Sequence, residues 1–224
     1  MENNFVSDTM LFHNLKKEEI NSLLVCCGAY RKTFGKDETI YHAGEKIDCM
    51  GLVISGSVNV TINYYWGGSN IFGHFCAGDI FAETYAAIPD RELPVNVVAA
   101  ENCEVLFIPL KKLLSVCPSA CAFHTLVVQN LLQIFACKNL NLSARMMHTA
   151  SRSIRSRLLS YFSELAAEHG GNCFDIPFTR QELADYLGVE RSALSNAISK
   201  MQKEGLLKYR KNHFELNSKI LNEN

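Results

Sequence analysis

"FTRQELADYLGVERSALSNAISKMQKEGLLKYRKNHFEL", Phe178 to Leu216, is the stretch that decides how this chain is read. Thr179 and Glu182 form a T-x-x-E capping box, so a helix starts at Arg180 and runs through "RQELADYL" until Gly188 breaks it. A second helix, "RSALSNAISKMQKEG", begins within three residues, because Gly188 and Val189 leave room only for a tight turn. Leu194, Ile198 and Met201 recur at i, i+4 and i+7 and must pack inward against Leu183 and Leu187. Ser192, Ser195, Asn196, Ser199, Lys200 and Lys203 are left facing out. "LLKYRKNHFEL" then predicts a hairpin, Leu206–Tyr209 with His213–Leu216, turning at Arg210-Lys211-Asn212.

An outward face of small hydroxyls, an amide and lysines makes a poor protein-interface core. It suits a major groove, where Ser and Asn read base edges and Lys takes phosphates. Two short helices around a tight turn give the helix-turn-helix arrangement, and a basic hairpin after it makes a wing. Between Arg191 and Lys211 the positive residues are Arg191, Lys200, Lys203, Lys208, Arg210 and Lys211, against Glu204 alone. The predicted DNA contacts are Thr179, Arg180, Gln181, Arg191, Ser192, Ser195, Asn196, Lys200, Lys203 and Lys211. The competing reading is an ordinary α+β packing unit with a solvated lysine face. Capping box, turn glycine, inward triad and basic wing all agree with the first reading.

This patch is local. The 224-residue chain has a formal net charge of −1 and 48% hydrophobic residues, enough for a core in each of two domains. Residues 1–150 carry 11 Lys/Arg against 14 Asp/Glu, and residues 151–224 carry 11 against 9. Nine cysteines (Cys26, Cys27, Cys49, Cys76, Cys103, Cys117, Cys121, Cys137 and Cys173) lack the even spacing of a secreted disulfide framework, which implies a reducing cytoplasm. "MENNFVSDTM" has no basic region followed by an apolar run, and no long apolar window occurs, so neither export nor a membrane partner is expected.

Upstream of the helical end the periodicity is that of strands. "LKKEEINSLLVCCG" opens with a short amphipathic helix, with Ile20, Leu23, Leu24 and Cys27 at helical spacing and Gly28 as the stop. In "GSVNVTINY", Val58, Val60, Ile62 and Tyr64 alternate with polar residues as in a half-buried strand. "ETIYHAG", "MGLVIS", "NIFGHFCAGDIF" and "VNVVAAENCEVLFIP" follow the same style, punctuated by Gly44, Gly56, Gly67-Gly68 and Gly78, and together suggest an antiparallel sandwich or jelly roll. After Pro118 the strand signal stops. A long helix follows, with Phe123, Val127, Leu131, Ile134 and Leu142 compatible with one face and Leu126, Val128, Leu132 and Phe135 on others. That is more apolar surface than one domain covers, so the first five are read as a dimer face, with Lys138, Asn139 and Asn141 fixing register. The alternative is a helix buried in a single core. Ser151 or Ser153 caps a further helix, with Ile154, Leu158, Phe162 and Leu165 on one side and Gly170-Gly171 at its end.

"YHAGEKIDCMGLVISGSVNV", "FCAGDIFAE", "ENCEVLFIP", the long helix and "FTRQELADYLGVERSALSNAISKMQKEGLL" resemble, in that order and spacing, the CRP/FNR superfamily of bacterial transcription regulators. The resemblance implies an α+β chain with three parts: a cyclic-nucleotide-binding-like β-roll or jelly-roll effector domain (1–117), a central dimerisation helix (118–148), and a C-terminal winged helix-turn-helix (149–224). It implies a homodimer on a pseudo-palindromic operator, a small-molecule effector, and RNA polymerase as a further candidate partner. The effector candidates are Phe81, Glu83, Thr84, Leu93, Pro94, Val95 and Asn96, with Leu131 and Phe135 from the helix.

Members similar to the cyclic-AMP receptor protein carry G-E and then R-S-A about ten residues on, because arginine and backbone cradle the cyclic phosphate. Here "FAETYAAIPDRELPVNVVA" keeps Glu83 but has Ala82 for the glycine and Leu93-Pro94-Val95 for R-S-A, with Arg91 two residues short. Phe135-Ala136 replaces the Thr-Ser pair of the dimer helix. An effector other than cyclic AMP is therefore expected. Cys26-Cys27 are adjacent, without the C-x2-C spacing of a cluster, so no iron–sulfur centre is expected. His74-x-Cys76 share a strand face and are read as packing rather than as a haem or metal pair. Where relatives place an arginine that reads guanine, Asn196 stands, and Asn favours adenine. A metal-dependent cupin-type enzyme would need clustered His and Glu, and neither His42 nor His74 has a histidine at i+2. No G-x-S-x-G, H-E-x-x-H or G-x-x-x-x-G-K-[ST] occurs, so no catalytic residue is assigned. A constitutive regulator needing no small molecule stays open.

Overall fold

The computed structural model describes residues 4–63, 69–115 and 122–217. Tyr64, Gly67-Gly68, Cys117, Pro118, Cys121 and the expected 117/118 boundary lie outside the described residues. The chain is α+β and divides into two compact units, Met1–Phe135 and Ala136–Asn224. Among the described residues no helix is long and apolar enough to cross a membrane.

The first unit opens with α1 (Asn4–Ser7), a 3-10 turn (Met10–Phe12) and α2 (Lys17–Cys27), which buries Ile20, Leu23 and Cys27 as its spacing requires. Eight strands follow: β1 (Tyr30–Phe34), β2 (Thr39–Tyr41), β3 (Cys49–Ser55), β4 (Ser57–Asn63), β5 (Ser69–Cys76), β6 (Ile80–Phe81), β7 (Asn96–Ala99) and β8 (Cys103–Pro109). They pair antiparallel into two four-stranded sheets, β1-β8-β3-β6 and β2-β7-β4-β5. Gly56 joins β3 to β4 at φ +73°, and a Cβ there would lie 2.4 Å from the Asn102 carbonyl oxygen, so only glycine fits. Short helices α3 (Glu83–Ala87) and α4 (Leu110–Leu114) flank the last strands.

"MGLVIS" and "VLFIP" are continuously apolar because the first sheet is covered on both faces. Cys49, Val53, Val105 and Phe107 point between the sheets, where Phe34, Val58, Phe81 and Val97 meet them. Met50, Leu52, Leu106 and Ile108 point the other way and need a cover of their own. Phe12, Leu23 and Leu113 supply part of it, and α5 (Ala122–Thr149) supplies the rest through Val127, Leu131 and Ile134. This corrects the expected dimer face for Val127, Leu131 and Ile134, which lie inside their own protomer's core with Phe123 packed partly against it, while Leu142 is exposed. Asn130 completes the stripe, buried and donating from Nδ2 to the carbonyls of Leu11 (3.1 Å) and His13 (2.9 Å). The side of α5 away from this core keeps Leu132, Leu140 and Met147 exposed, at 68%, 69% and 64%.

The second unit contains the end of α5, then α6 (Ile154–His169), β9 (Cys173–Asp175), α7 (Arg180–Leu187), α8 (Arg191–Lys203), β10 (Leu207–Arg210) and β11 (His213–Leu216). Ser153 caps α6, its hydroxyl accepting from the Ser156 amide at 3.0 Å. Leu158, Phe162 and Leu165 face a core shared with Phe174, Leu183, Leu187, Leu194, Ile198, Met201 and Phe214. The three strands form one sheet, β10-β11-β9. The hairpin lies one residue later than expected on its first side, with Arg210 opposite His213 and Lys211-Asn212 as the turn. Strand β9 was not expected at all; three residues are too few for a period-two signal.

Candidate nucleic-acid interface

Position of α8 follows from α7 and the turn before it. Both capping-box bonds are present: the Glu182 amide donates to the Thr179 hydroxyl (3.3 Å) and the Thr179 amide to the Glu182 carboxylate (2.6 Å). The second bond holds the Glu182 carboxyl below its usual pKa range. Gly188 leaves α7 at φ +63°, the left-handed geometry that lets α8 start three residues later. The carbonyls this turn exposes are taken by two arginines. Arg145 of α5 donates to Tyr186 and Asp185 (both 2.9 Å), and Arg157 of α6 donates to Leu187 (2.7 Å) and Gly188 (3.2 Å). Cations at a helix C-terminus also oppose its dipole favourably. His148 is buried between Tyr186 and Glu164, with Nδ1 2.9 Å from the Tyr186 hydroxyl and Nε2 against the Glu164 carboxylate. Arg145, His148 and Arg157 were not singled out from sequence, because the α7 residues they meet, Asp185 to Gly188, lie about thirty to forty residues away and no spacing connects them.

With Leu194, Ile198 and Met201 buried, the opposite face of α8 carries Ser192, Asn196, Lys200 and Lys203 at i, i+4, i+8 and i+11, all exposed, with Arg191 at its start. Ser195 is a correction: it is half-buried, and its hydroxyl donates to the Arg191 carbonyl at 2.9 Å, which leaves it no free donor for a base. Arg180 is another. Its guanidinium lies over the rings of Tyr209 and Phe214, 5.3 and 5.4 Å from their centroids, instead of joining this face. Thr179 is engaged as the cap, and Gln181 donates to Asp185 at 2.9 Å, so both are exposed but committed. Lys211 is exposed at the hairpin turn. Of the nearby acidic groups, Glu204 is neutralised by Arg155, and Glu215 pairs with Lys208 across the hairpin at 3.6 Å. The exposed surface of α8 is therefore net positive.

Residues 31–119 match the cyclic nucleotide-binding domain family, and residues 156–219 match the Crp-like helix-turn-helix domain family. The chain belongs to the CRP/FNR superfamily of transcription regulators. Vfr, the cAMP-activated global transcriptional regulator of Pseudomonas aeruginosa, is 24% identical over 209 residues, covering 87% of this chain and 92% of Vfr. The solved structure of CprK complexed with OCPA superposes with a TM-score of 0.65 at 16% identity, covering 90% of this chain and 91% of CprK. CLP, the c-di-GMP responsive global regulator of Xanthomonas campestris, gives 0.57 at 20% identity, covering 91% of this chain and all of CLP.

In this CRP/FNR chain the described sensor-side candidates are spread over both cores of the first unit and its surface. Phe81 is fully buried between the sheets, its ring lying where a Cβ on Gly51 would be and near Tyr41 and Phe75. Leu131 is buried in the other core of the first unit and Phe135 packs partly against that same core. These three are corrected to packing residues. Glu83 and Leu93 are buried, Thr84 and Pro94 exposed, and Val95 half-buried. Asn96 accepts from the Ala43 amide at 2.8 Å and belongs to a cleft of about 610 Å³ on the outer side of the second sheet, with His42, Asn59 and Thr61. Ala82 adopts φ +61° at the start of α3, a geometry suited to glycine; in alanine this conformation costs roughly 1–2 kcal/mol.

On α2 Cys26 is exposed and Cys27 buried, so the adjacent thiols point in different directions. His74 and Cys76 are exposed on β5, with His74 Nδ1 2.7 Å from the Asn59 side-chain oxygen. Burial pushes the Cys49 thiol up to about 12 and raises Cys103 as well, which disfavours the nucleophilic thiolate at both.

Proposed function

We propose that this chain is a homodimeric, sequence-specific regulator that reads a pseudo-palindromic operator through α8 and is gated by a small molecule other than cyclic AMP. The observation that carries the DNA half is the division of α8 into an inward Leu194, Ile198 and Met201 and an outward Ser192, Asn196, Lys200 and Lys203. Asn196 and Ser192 read base edges, and the lysines with Arg191 and Lys211 hold phosphates. Half-sites lie about one helical turn apart, centre to centre. The protein acts in the cytoplasm, where the DNA is, and carries no catalytic activity.

Asn196→Ala is expected to relax base preference by about 1–3 kcal/mol at one position of each half-site while keeping non-specific affinity. Lys203→Ala is expected to weaken all duplexes alike and to reduce the salt slope of log K by about 0.9. Titrating both variants against operator and random duplexes over a range of salt checks this. Wild-type behaviour of both would overturn the assignment of the face.

The effector half rests on residue chemistry. Leu93-Pro94-Val95 offers no cation for a cyclic phosphate, and the Phe81 ring fills the space between the sheets. The names of the relatives carry cyclic AMP, c-di-GMP and OCPA, so the shared fold does not fix one ligand. Cyclic AMP at about 1 mM is expected to leave the unfolding midpoint and DNA affinity unchanged, whereas a ligand present at 100 times its Kd adds about 2.7 kcal/mol. A stabilisation of that size by cyclic AMP would overturn the reading. The filled interior also fits a regulator that needs no small molecule, and DNA binding with and without cell extract separates the two.

A further inference from the structure

We propose that Arg180 is a positioning residue that braces the wing, holding the Lys211 turn in place from behind, and is not itself a phosphate contact. This rests on the reading of the winged helix as the DNA-binding surface. Arg180 is the first residue of α7, where a cation is opposed by the helix dipole, so its position calls for a compensating partner. The partner is the hairpin. The guanidinium lies over both Tyr209 on β10 and Phe214 on β11, rings that also stack on each other with centroids 5.7 Å apart. Nη2 donates to the Lys211 carbonyl at 3.3 Å, and Nη1 is buried with no hydrogen-bond partner. One of its terminal nitrogens is thus buried and the other is engaged by the turn itself.

What the brace holds is a strained turn. Lys211 sits at φ +55°, a conformation unfavourable for a residue with a side chain. The next carbonyl, of Asn212, is fixed as well, accepting from the Ile176 amide at 2.9 Å. Both carbonyls of the two-residue turn are therefore tied to the body of the unit, one by a side chain and one by backbone. A fixed turn delivers the Lys211 ammonium to one place, which is what a phosphate contact that sets register requires. Lysine at position 180 would keep the charge but not the flat face that covers two rings or the fork that reaches the carbonyl.

The test uses the full chain and two readouts. The first needs no DNA: trypsin cleavage after Arg210 and Lys211, followed by mass spectrometry. Arg180→Lys and Arg180→Met are both expected to accelerate cleavage there about tenfold, the loss expected when a partly buried cation–π contact goes. Tyr209→Leu, which removes one stacking ring and leaves Arg180, loosens the same turn and serves if an Arg180 variant folds poorly. The second readout is affinity for a random-sequence duplex against salt. Arg180→Lys is expected to weaken binding as much as Arg180→Met, and adding Arg180→Met to Lys211→Ala to have no further effect. Unchanged cleavage at the turn overturns the brace. So does an Arg180→Lys variant with wild-type affinity beside an Arg180→Met variant whose salt slope falls by about 0.9, the behaviour of a direct phosphate contact. Wild-type protein that binds no duplex, with cleavage accelerated as expected, removes the DNA-binding reading and leaves the brace standing.

Discussion

If the proposed homodimer forms through the outer face of α5, Leu140→Glu combined with Met147→Glu is expected to yield a folded protomer that sediments as a monomer and binds a two-half-site duplex at least about 100-fold more weakly than the parent chain. Both side chains are more than 60% exposed, so neither supports a core within the protomer, and surface changes of this kind cost at most about 0.5 kcal/mol. With Leu132 they recur at i, i+8 and i+15, on the side of α5 opposite Val127, Leu131 and Ile134. A two-fold axis along this face would set each glutamate close to its symmetry mate, adding like-charge repulsion to lost apolar burial. Losing the partner converts bivalent recognition into single half-site binding, which is the source of the large factor. Analytical ultracentrifugation and binding to full and half operators read the two effects separately. A dimer that persists, or full-operator affinity that stays within threefold, would place the interface elsewhere.

The face of α5 marks the boundary of what the sequence discloses. The helix is apolar on two sides, and periodicity alone does not say which side stays inside the protomer. That choice belongs to Met50, Leu52, Leu106 and Ile108, whose outward face on the first sheet takes Val127, Leu131 and Ile134 as its cover. The contact is non-local, so the stripe read as an interface turned out to be core. The winged helix was legible because its rules are local: a capping box, a left-handed glycine and an i, i+4, i+7 triad each act within one or two turns. Where a residue there depends on distant chain, the reading failed. Arg180 looks like a DNA contact until the hairpin folds across it, and Arg145 and Arg157, which no spacing singles out, meet the end of α7 only in the fold. Phe81 shows the same limit in the sensor unit. Its place next to Glu83 suggested a ligand wall, whereas its ring completes the interior against Gly51, about thirty residues earlier.

Phe162→Ala is expected to cost the C-terminal unit about 3–5 kcal/mol. Phe162 is fully buried, with its ring centroid 4.7 Å from that of Phe214 and 5.7 Å from that of Phe174. It therefore joins α6 to two of the three strands of the wing sheet. Truncation leaves a cavity walled by aromatic rings, whose size and stiffness limit how far neighbours can collapse into it. For a unit of this size each kcal/mol shifts the midpoint by about 4–8 °C, so a fall of more than about 10 °C is expected. The functional consequence follows from the inner face of α8: Leu194, Ile198 and Met201 lean on the same core, so the exposed Asn196 and lysines lose their fixed spacing when it loosens. DNA binding should vanish above the new midpoint and remain near wild-type well below it. That pattern separates a support residue from Asn196→Ala, which changes base preference at every temperature and leaves the midpoint alone. Phe162→Leu, which refills most of the volume, should recover more than half of the loss. A Phe162→Ala chain that melts within about 1 kcal/mol of the parent would mean that α6 does not pack on the wing sheet as described.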